Sequence, residues 1–458
     1  MPILEQLRGH LKRGLRRRQV PGASLAVLHA GQVHAAAAGV TNLDTAVPVT
    51  ADTLFQIGSI TKIFTTTLVL QLVDEGLLDL DVPLRTYLPD FAVGDERATR
   101  EVTPRHLLTH TSGIDGDLFM DVGRGDRAAE RMRDVAILAP SLFPPGERLS
   151  YCNIGFALLG HLVGVLRRST WDEQMDERIF RPLGLRHALT RPEDVLRFRC
   201  AMGHLANRSG QVATAPAPWL SPGQAAAGAT PMLSAADVMT FVRAHLADGR
   251  IPDQARGRIL SARSARAMRR RQVTVIPGGP LGLVGWGLGW ALKNWDGCPL
   301  YGHDGATLGQ YAFLRVEPRS GVAMVLLTNG GVDARGLFRD LADRVFGELL
   351  GIREPAPRGL HPQRPVDADA VVGTYQNLSA TVTIERTPRG LTISSQPGSR
   401  PHLSPPMRAV PLRFLDDASA HLDTGDAIID RTHYQFSAPD AGRFQFLGSG
   451  NRLFRRIA

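Results

Sequence analysis

The order of strand-like and helix-like segments limits the architecture of this chain more than any other feature. Strand patterns stand at both ends of the stretch from Ala23 to Leu350, and helical patterns fill its middle. Ser24-Leu25-Ala26-Val27-Leu28, a turn at Gly31 and Val33 to Val40 read as a hairpin, preceded by a first helix. A helix is predicted from about Ser59 to Glu75, ending at Gly76, because Phe64, Leu68, Val69 and Leu72 recur at helical spacing. Helical patterns follow at 155–167, 171–180 and 234–247, with loops at 110–127 and 140–150. Strands return at 282–292, 309–317 and 321–328, and an amphipathic helix from about Gly336 to Leu350 closes the series. The arrangement that satisfies this order is a sheet closed by both ends of one domain, with a helical lobe inserted into it.

A chain of 458 residues is too long for one ordinary core. Pro355, Pro357, Pro362 and Pro365 give residues 353–366 the composition of an interdomain linker, dividing a domain at 1–352 from one at 367–458. The second unit changes character. Thr381 to Arg386, a turn at Thr387-Pro388-Arg389-Gly390, and Leu391 to Ser394 alternate with period two, and short strands recur near 411–415, 420–422, 427–436 and 443–456. About eight short strands separated by Asp/Gly turns predict a small antiparallel barrel.

Composition narrows the function classes. Cys152, Cys200 and Cys298 are odd in number and far apart, which fits neither a disulfide framework nor a metal cluster and suits a reducing compartment. Leu11 to Arg18 is as basic as the start of an export signal, but Val20 to His29 is interrupted by Pro21 and Gly22 and ends in a histidine. With no run of membrane-spanning length either, a cytoplasmic protein without membrane contact is expected. The net charge is +9, and Arg263, Arg266, Arg269, Arg270 and Arg271 form a dense basic cluster. No aromatics interleave there, so a solvated helix face is expected and not a nucleic-acid site; attraction to an acidic partner protein is the milder functional reading. Gly285-Trp286-Gly287-Leu288-Gly289-Trp290 lacks the helix and the Lys-Ser/Thr of a phosphate loop and reads as strand, so no nucleotide, and no other cofactor or metal, is expected.

Lys12, Lys62 and Lys293 are the only lysines, against fifty arginines. Arginine keeps its proton in proteins, whereas a desolvated lysine gives it up, so a lysine retained here suits proton transfer. Lys62 follows Ser59 by three positions in Ser59-Ile60-Thr61-Lys62, and helical residues at that spacing share a face. A serine at a helix start also meets free backbone N–H groups able to hold an oxyanion. Tyr151-Cys152-Asn153 and His303-Asp304-Gly305 follow in order. An ammonium beside the Tyr151 phenol favours phenolate, and burial favours neutral lysine, so either group can take the serine proton and the two titrate as a pair. Cys152 has no basic partner beside it in sequence and reads as a small buried thiol.

Together these motifs resemble the serine beta-lactamase and penicillin-binding-protein superfamily in its class C-like branch. The likeness runs from about residue 10 to 350 through Phe55-Gln56-Ile57-Gly58, Leu107 to Gly113, Pro145-Gly146-Glu147 and Phe180 to Leu185. It implies an α/β fold, an antiparallel sheet flanked by helices with a helical lobe, and an acyl-serine mechanism. Ser59, Lys62, Tyr151 and His303 would be catalytic, and the backbone N–H groups of Ser59 and Ala306 would form the oxyanion hole. Asn153 would bond the substrate amide or orient Lys62, and Gly305 would let substrate lie along the strand edge. His303 stands where penicillin-recognising members carry a lysine that helps hold a carboxylate; a neutral imidazole holds an anion less strongly.

The loop Gly113 to Phe119, the string Ser150-Tyr151-Cys152-Asn153 and the appended barrel look like the penicillin-binding-protein-type thioesterases, stand-alone cyclases of nonribosomal peptides. That resemblance implies a peptidyl thioester with a D-configured C-terminal residue, closed head to tail, with an acidic peptidyl carrier protein as the partner that would deliver it. It also makes the barrel lipocalin-like, placed beside or over the site, with Arg452 binding a peptide anion. An esterase or D-aminopeptidase of the same family is the alternative, and a non-catalytic binding protein would need one motif to be broken. The oligomeric state is not legible in the sequence.

Overall fold

Strands from the two ends of the first domain meet in one sheet. The computed structural model describes residues 2–207, 209–252, 254–275, 282–355, 367–398, 406–416, 418–422 and 433–458. The chain enters through helix α1 (Pro2–Arg18) and strands β1 (Gly22–His29) and β2 (Gln32–Gly39). The principal helices that follow are α2 (Thr61–Asp74), α3 (Asn153–Arg167) and α4 (Ala235–Leu246). Strands β3 (Val273–Thr274), β4 (Leu283–Trp286), β5 (Ala291–Trp295), β6 (Cys298–Ala306), β7 (Tyr311–Glu317) and β8 (Val322–Thr328) then lead into α5 (Ala334–Leu350). The antiparallel sheet runs β2-β1-β8-β7-β6-β5-β4-β3, with Ala23 opposite Thr328.

Helices cover both faces, which is why β1 and β8 carry apolar or small side chains in near-continuous runs rather than in alternation. On one face Ile3, Leu7, Leu11 and Leu15 of α1 pack with Leu337, Phe338 and Leu341 of α5. The basic tail of α1 is used there too: Arg18 bridges Asp333 at 2.7 Å and Asp340 at 2.9 Å. On the other face lies the larger core, built on Phe64, Leu68 and Leu72 of α2 and Phe156, Leu159 and Leu162 of α3.

The expectation of one strand over 282–292 is corrected. Residues 287–290 turn between β4 and β5, because Gly289 has φ +76° and presses so closely on α2 that a Cβ would lie 2.3 Å from Thr66 Oγ1. The arginine cluster is also less basic than its sequence implies. Arg266 bridges Asp248 at 2.7 Å, and Arg269 pairs with the same carboxylate.

Most of the proline-rich segment read at 353–366 lies outside the described residues, as does 427–432 of the strand read at 427–436. Beyond it, β9 (Gly373–Gln376), β10 (Ala380–Thr387), β11 (Gly390–Pro397), β12 (Met407–Asp416), β13 (Ser419–Leu422), β14 (His433–Asp440), β15 (Arg443–Ser449) and β16 (Arg452–Arg456) form a closed antiparallel barrel. Tyr375 opposite Arg456 joins the last strand to the first, and Ile384, Ile393, Phe414, Phe436 and Phe454 fill the interior. The expected fold class, an α/β domain followed by a small antiparallel barrel, is borne out.

The barrel touches the first domain around the cleft. Tyr151 N–H donates to the Asn451 carbonyl at 2.8 Å, Leu453 N–H to Ser150 Oγ at 3.1 Å, and Leu378 N–H to Asp115 Oδ2 at 2.6 Å. Phe446 packs edge-on against Phe143, with Leu142 beside it.

Candidate active site

Ser59 sits in a single 3₁₀ turn, Gly58–Ile60, that leads into α2. Glycines let three segments converge on it. Gly58 has φ +51°, and a Cβ there would meet Ala306 N at 2.6 Å; a Cβ on Gly305 would meet the Ile57 carbonyl at 2.0 Å and Ser59 N at 3.1 Å. The missing side chain of Gly305 thus makes room for the serine turn, and the residue also lies in the cleft wall, where the sequence reading set substrate along the strand edge. The same contact sets the Ser59 and Ala306 amides side by side, the arrangement an oxyanion hole requires.

Lys62, the second residue of α2 and one turn beyond Ser59, is fully buried. It donates to the Ala227 carbonyl at 2.6 Å and to Asn153 Oδ1 at 2.8 Å, and its Nζ stands 3.1 Å from Ser59 Oγ. Burial, and then the Arg452 charge, push the lysine well below its usual range, against the smaller pull of Asp117 and Cys152. A neutral amine has two N–H groups and one lone pair. With the N–H groups directed at Ala227 and Asn153, the lone pair is left for the Ser59 proton.

Tyr151 has the opposite tendency. Its ring lies under Lys62 Nζ, 5.0 Å from the centroid, and burial raises the phenol well above its usual range despite the nearby Ser59 hydroxyl. Of the two groups the sequence offered for the serine proton, burial thus tilts the Lys62 amine toward its neutral form and holds the Tyr151 phenol protonated.

Residues 7–346 match the Beta-lactamase family model. The chain belongs to the beta-lactamase family. It is a serine-hydrolase-type member of it, and 364 of its residues, 78% of the chain and 93% of the relative, are 46% identical to penicillin-binding protein 4 of Amycolatopsis lactamdurans. Among solved structures, SurE matches over 99% of both chains, barrel included, with a TM-score of 0.80 at 28% identity. The D-amino acid amidase of Ochrobactrum anthropi SV3 shares the fold over 76% of this chain and 99% of its own, with a TM-score of 0.64 at 24% identity.

His303, read from the sequence as standing where penicillin-recognising members carry a lysine, has a geometry that limits what it can do. The ring is buried, and Nδ1 lies 2.6 Å from the Asp304 carbonyl. Burial and the Lys62 charge hold it near a pKa of about 3, so it is a neutral hydrogen-bonding group and no anchor for an anion. Asp304 points to the other side of β6 and takes both Nη atoms of the wholly buried Arg315, which stacks 4.9 Å from the Phe338 centroid. Burial opposes that carboxylate's charge, but Arg315 and Lys293 outweigh it and keep Asp304 below the usual carboxylate range.

All eight residues named from the sequence line one cleft or stand at it. The cleft encloses about 670 Å³ and includes Ser59, Tyr151, Asn153, His303, Gly305, Ala306 and Arg452 in its wall, with Lys62 bonded beneath Ser59. Arg452 does not present a bare charge for a peptide anion, because its Nε and Nη2 both go to the Asp117 carboxylate.

Sequence reasoning missed Asp117, His110 and the Ala227 carbonyl as functional groups. His110 accepts from the Cys152 N–H at 3.1 Å and stacks on Tyr151 with ring centroids 4.2 Å apart, fixing the Tyr-Cys-Asn string. Lys293 also lines the cleft, and burial followed by Arg315 lowers it to about 7. Its rarity as one of three lysines was the available signal. Cys152 is fully buried with its thiol pushed up to about 12, which makes it inert.

Proposed function

We propose that this protein is an acyl-serine enzyme acting on the carbonyl of a D-configured residue in a peptide, as an amidase, D-aminopeptidase or esterase. The carrying observation is the buried, neutral-leaning Lys62 amine 3.1 Å from Ser59 Oγ. Ser59 Oγ attacks the carbonyl carbon while its proton passes to Lys62 Nζ, and the oxyanion rests on the Ser59 and Ala306 amides. The carbonyl bond to the leaving group then breaks, the Lys62 proton returns to that group, and an acyl-serine remains. Water attacks next, giving up its proton by the same route, and releases the acid. The D-configuration is supported by likeness to SurE, which has been solved with D-Leu over the same 99% of both chains, at a TM-score of 0.79.

A second reading replaces water by the peptide's own amine and closes a ring head to tail. What favours it is the barrel wall of the cleft, where Gly450, Asn451 and Arg452 face Trp286 and Leu283 across a space large enough for a folded peptide. In that reading the substrate is a peptidyl thioester made in the cytoplasm and handed over by an acidic carrier protein. Mass spectrometry of products from a peptidyl thioester and a peptide amide, each ending in a D-residue, separates the two. Linear acid from both is expected of the hydrolase, and ring from the thioester of the cyclase. Equal turnover by Ser59→Ala would overturn both.

A further inference from the structure

We propose that Asp117 and Arg452 are positioning residues, an interdomain clamp that holds Asn153, and through it the Lys62 amine, against Ser59. The inference rests on the acyl-serine reading above. Its geometry is a continuous chain. Arg452, at the start of β16, places Nε and Nη2 on the two oxygens of Asp117. Asp117 Oδ1 accepts from Asn153 Nδ2 at 2.8 Å, and Asn153 Oδ1 accepts from Lys62 Nζ at 2.8 Å.

An amide side chain can turn over, exchanging its donor and acceptor ends. Beside Lys62, only one orientation offers the lysine an oxygen. The Asp117 carboxylate, which accepts and does not donate, enforces that orientation from the far end. A merely polar neighbour would not, since a hydroxyl or carboxamide satisfies either end.

Asp117 is itself fixed. Its loop receives Gln224 Nε2 on the Leu118 carbonyl and gives the Gly116 carbonyl to Ile154 N–H, and Asp115 in the same loop accepts from Leu378 of the barrel. The second domain therefore contributes to the catalytic geometry and is more than a cover.

The charges at the two ends of the clamp act on Lys62 with opposite sign. Arg452 disfavours its ammonium and Asp117 favours it; the other ionisable groups facing it are Tyr151, Cys152, His110 and His303. This gives a readout that simple loss of structure does not imitate. The second-order rate at which a fluorophosphonate labels Ser59, followed by intact mass in the full chain, rises with pH as Lys62 loses its proton.

Asp117→Asn is expected to move that rise about one pH unit lower, and Arg452→Met about one unit higher. The plateau should fall roughly tenfold or more in Asp117→Asn, whose side chain no longer dictates the Asn153 orientation. The doubly neutral variant should bring the rise back to within a few tenths of a unit of wild type while its plateau stays low, and Arg452→Lys should keep it in place. Rises that stay put, or that move together, overturn the clamp. If Asp117→Asn does not fold by thermal melting, the shift in Arg452→Met against Arg452→Lys decides alone. Wild type and Ser59→Ala labelled equally would instead overturn the acyl-serine reading, a result distinguishable from failure of the clamp.

Discussion

The two walls of the cleft are built on different principles. On the first domain's side, Ser59, Lys62 and Asn153 are held by short strand and helix ends, and Lys62 alone meets three polar partners. Lys62 and Asn153 are buried and Ser59 is half-buried, and burial is what tilts the lysine toward its neutral form. On the barrel's side, contact among the described residues is made by the Asp117–Arg452 ion pair, a few backbone hydrogen bonds and the small apolar patch of Leu142, Phe143 and Phe446. One wall owns the reacting atoms; the other shapes and tunes their surroundings. The contrast teaches that the barrel's removal should alter selectivity and pH response before it abolishes chemistry.

The largest expected effect lies on the first wall. Ser59→Ala should lower kcat/KM by ~10⁴-fold on any ester or amide it turns over, measured by steady-state kinetics. Gly305→Ala should follow, because a Cβ 2.0 Å from the Ile57 carbonyl pushes β6 away from the serine turn. A displacement of that kind costs on the order of 100-fold in kcat with little change in the far-ultraviolet circular dichroism spectrum. Phe446→Ala tests the second wall. Loss of its packing on Phe143 should weaken docking by about 2 kcal/mol, seen as an earlier, separate thermal transition. Hydrolysis of a small ester should then change less than hydrolysis of a long peptide.

The smallest effect concerns Asp115, whose carboxyl is raised to about 7, chiefly by burial, where it accepts the Leu378 N–H. Because an aspartate in an unfolded chain titrates near about 4, the folded protein binds this proton more tightly and loses stability as pH rises through that window. Asp115→Asn should flatten the fall of melting temperature between about pH 4 and 7 relative to wild type.

How far the sequence announced this depends on the range of the interactions. The hairpin at Gly22–Gly39, the helix ending near Gly76 and the strands flanking Gly390 carry their periodicity and turn residues within a few positions, so they were readable. Ser59, Lys62, Tyr151 and Asn153 were legible because each motif is local. Asp117 was not: an acidic residue in a glycine-rich loop looks like any other until the barrel brings Arg452 to it from the far end of the chain. Gly305 was noticed for the strand edge alone, since only packing against the Ile57 carbonyl reveals that its missing side chain also makes room for the serine turn. The break at 287–290 escaped because Gly289 is dictated by its approach to Thr66, a contact with no local signature.

The pairing of Ala23 with Thr328 has a consequence during synthesis. The hairpin that starts the sheet must wait for its partner strand, and Ser59 must wait for Gly305 and Ala306, which emerge from a ribosome on the order of tens of seconds later. Until then the nascent chain holds a serine without its oxyanion site, and the first hairpin exposes an unpaired edge to any chaperone or neighbouring polypeptide nearby. The enzyme is thus born latent, and its chemistry switches on only after nearly the whole first domain has been made.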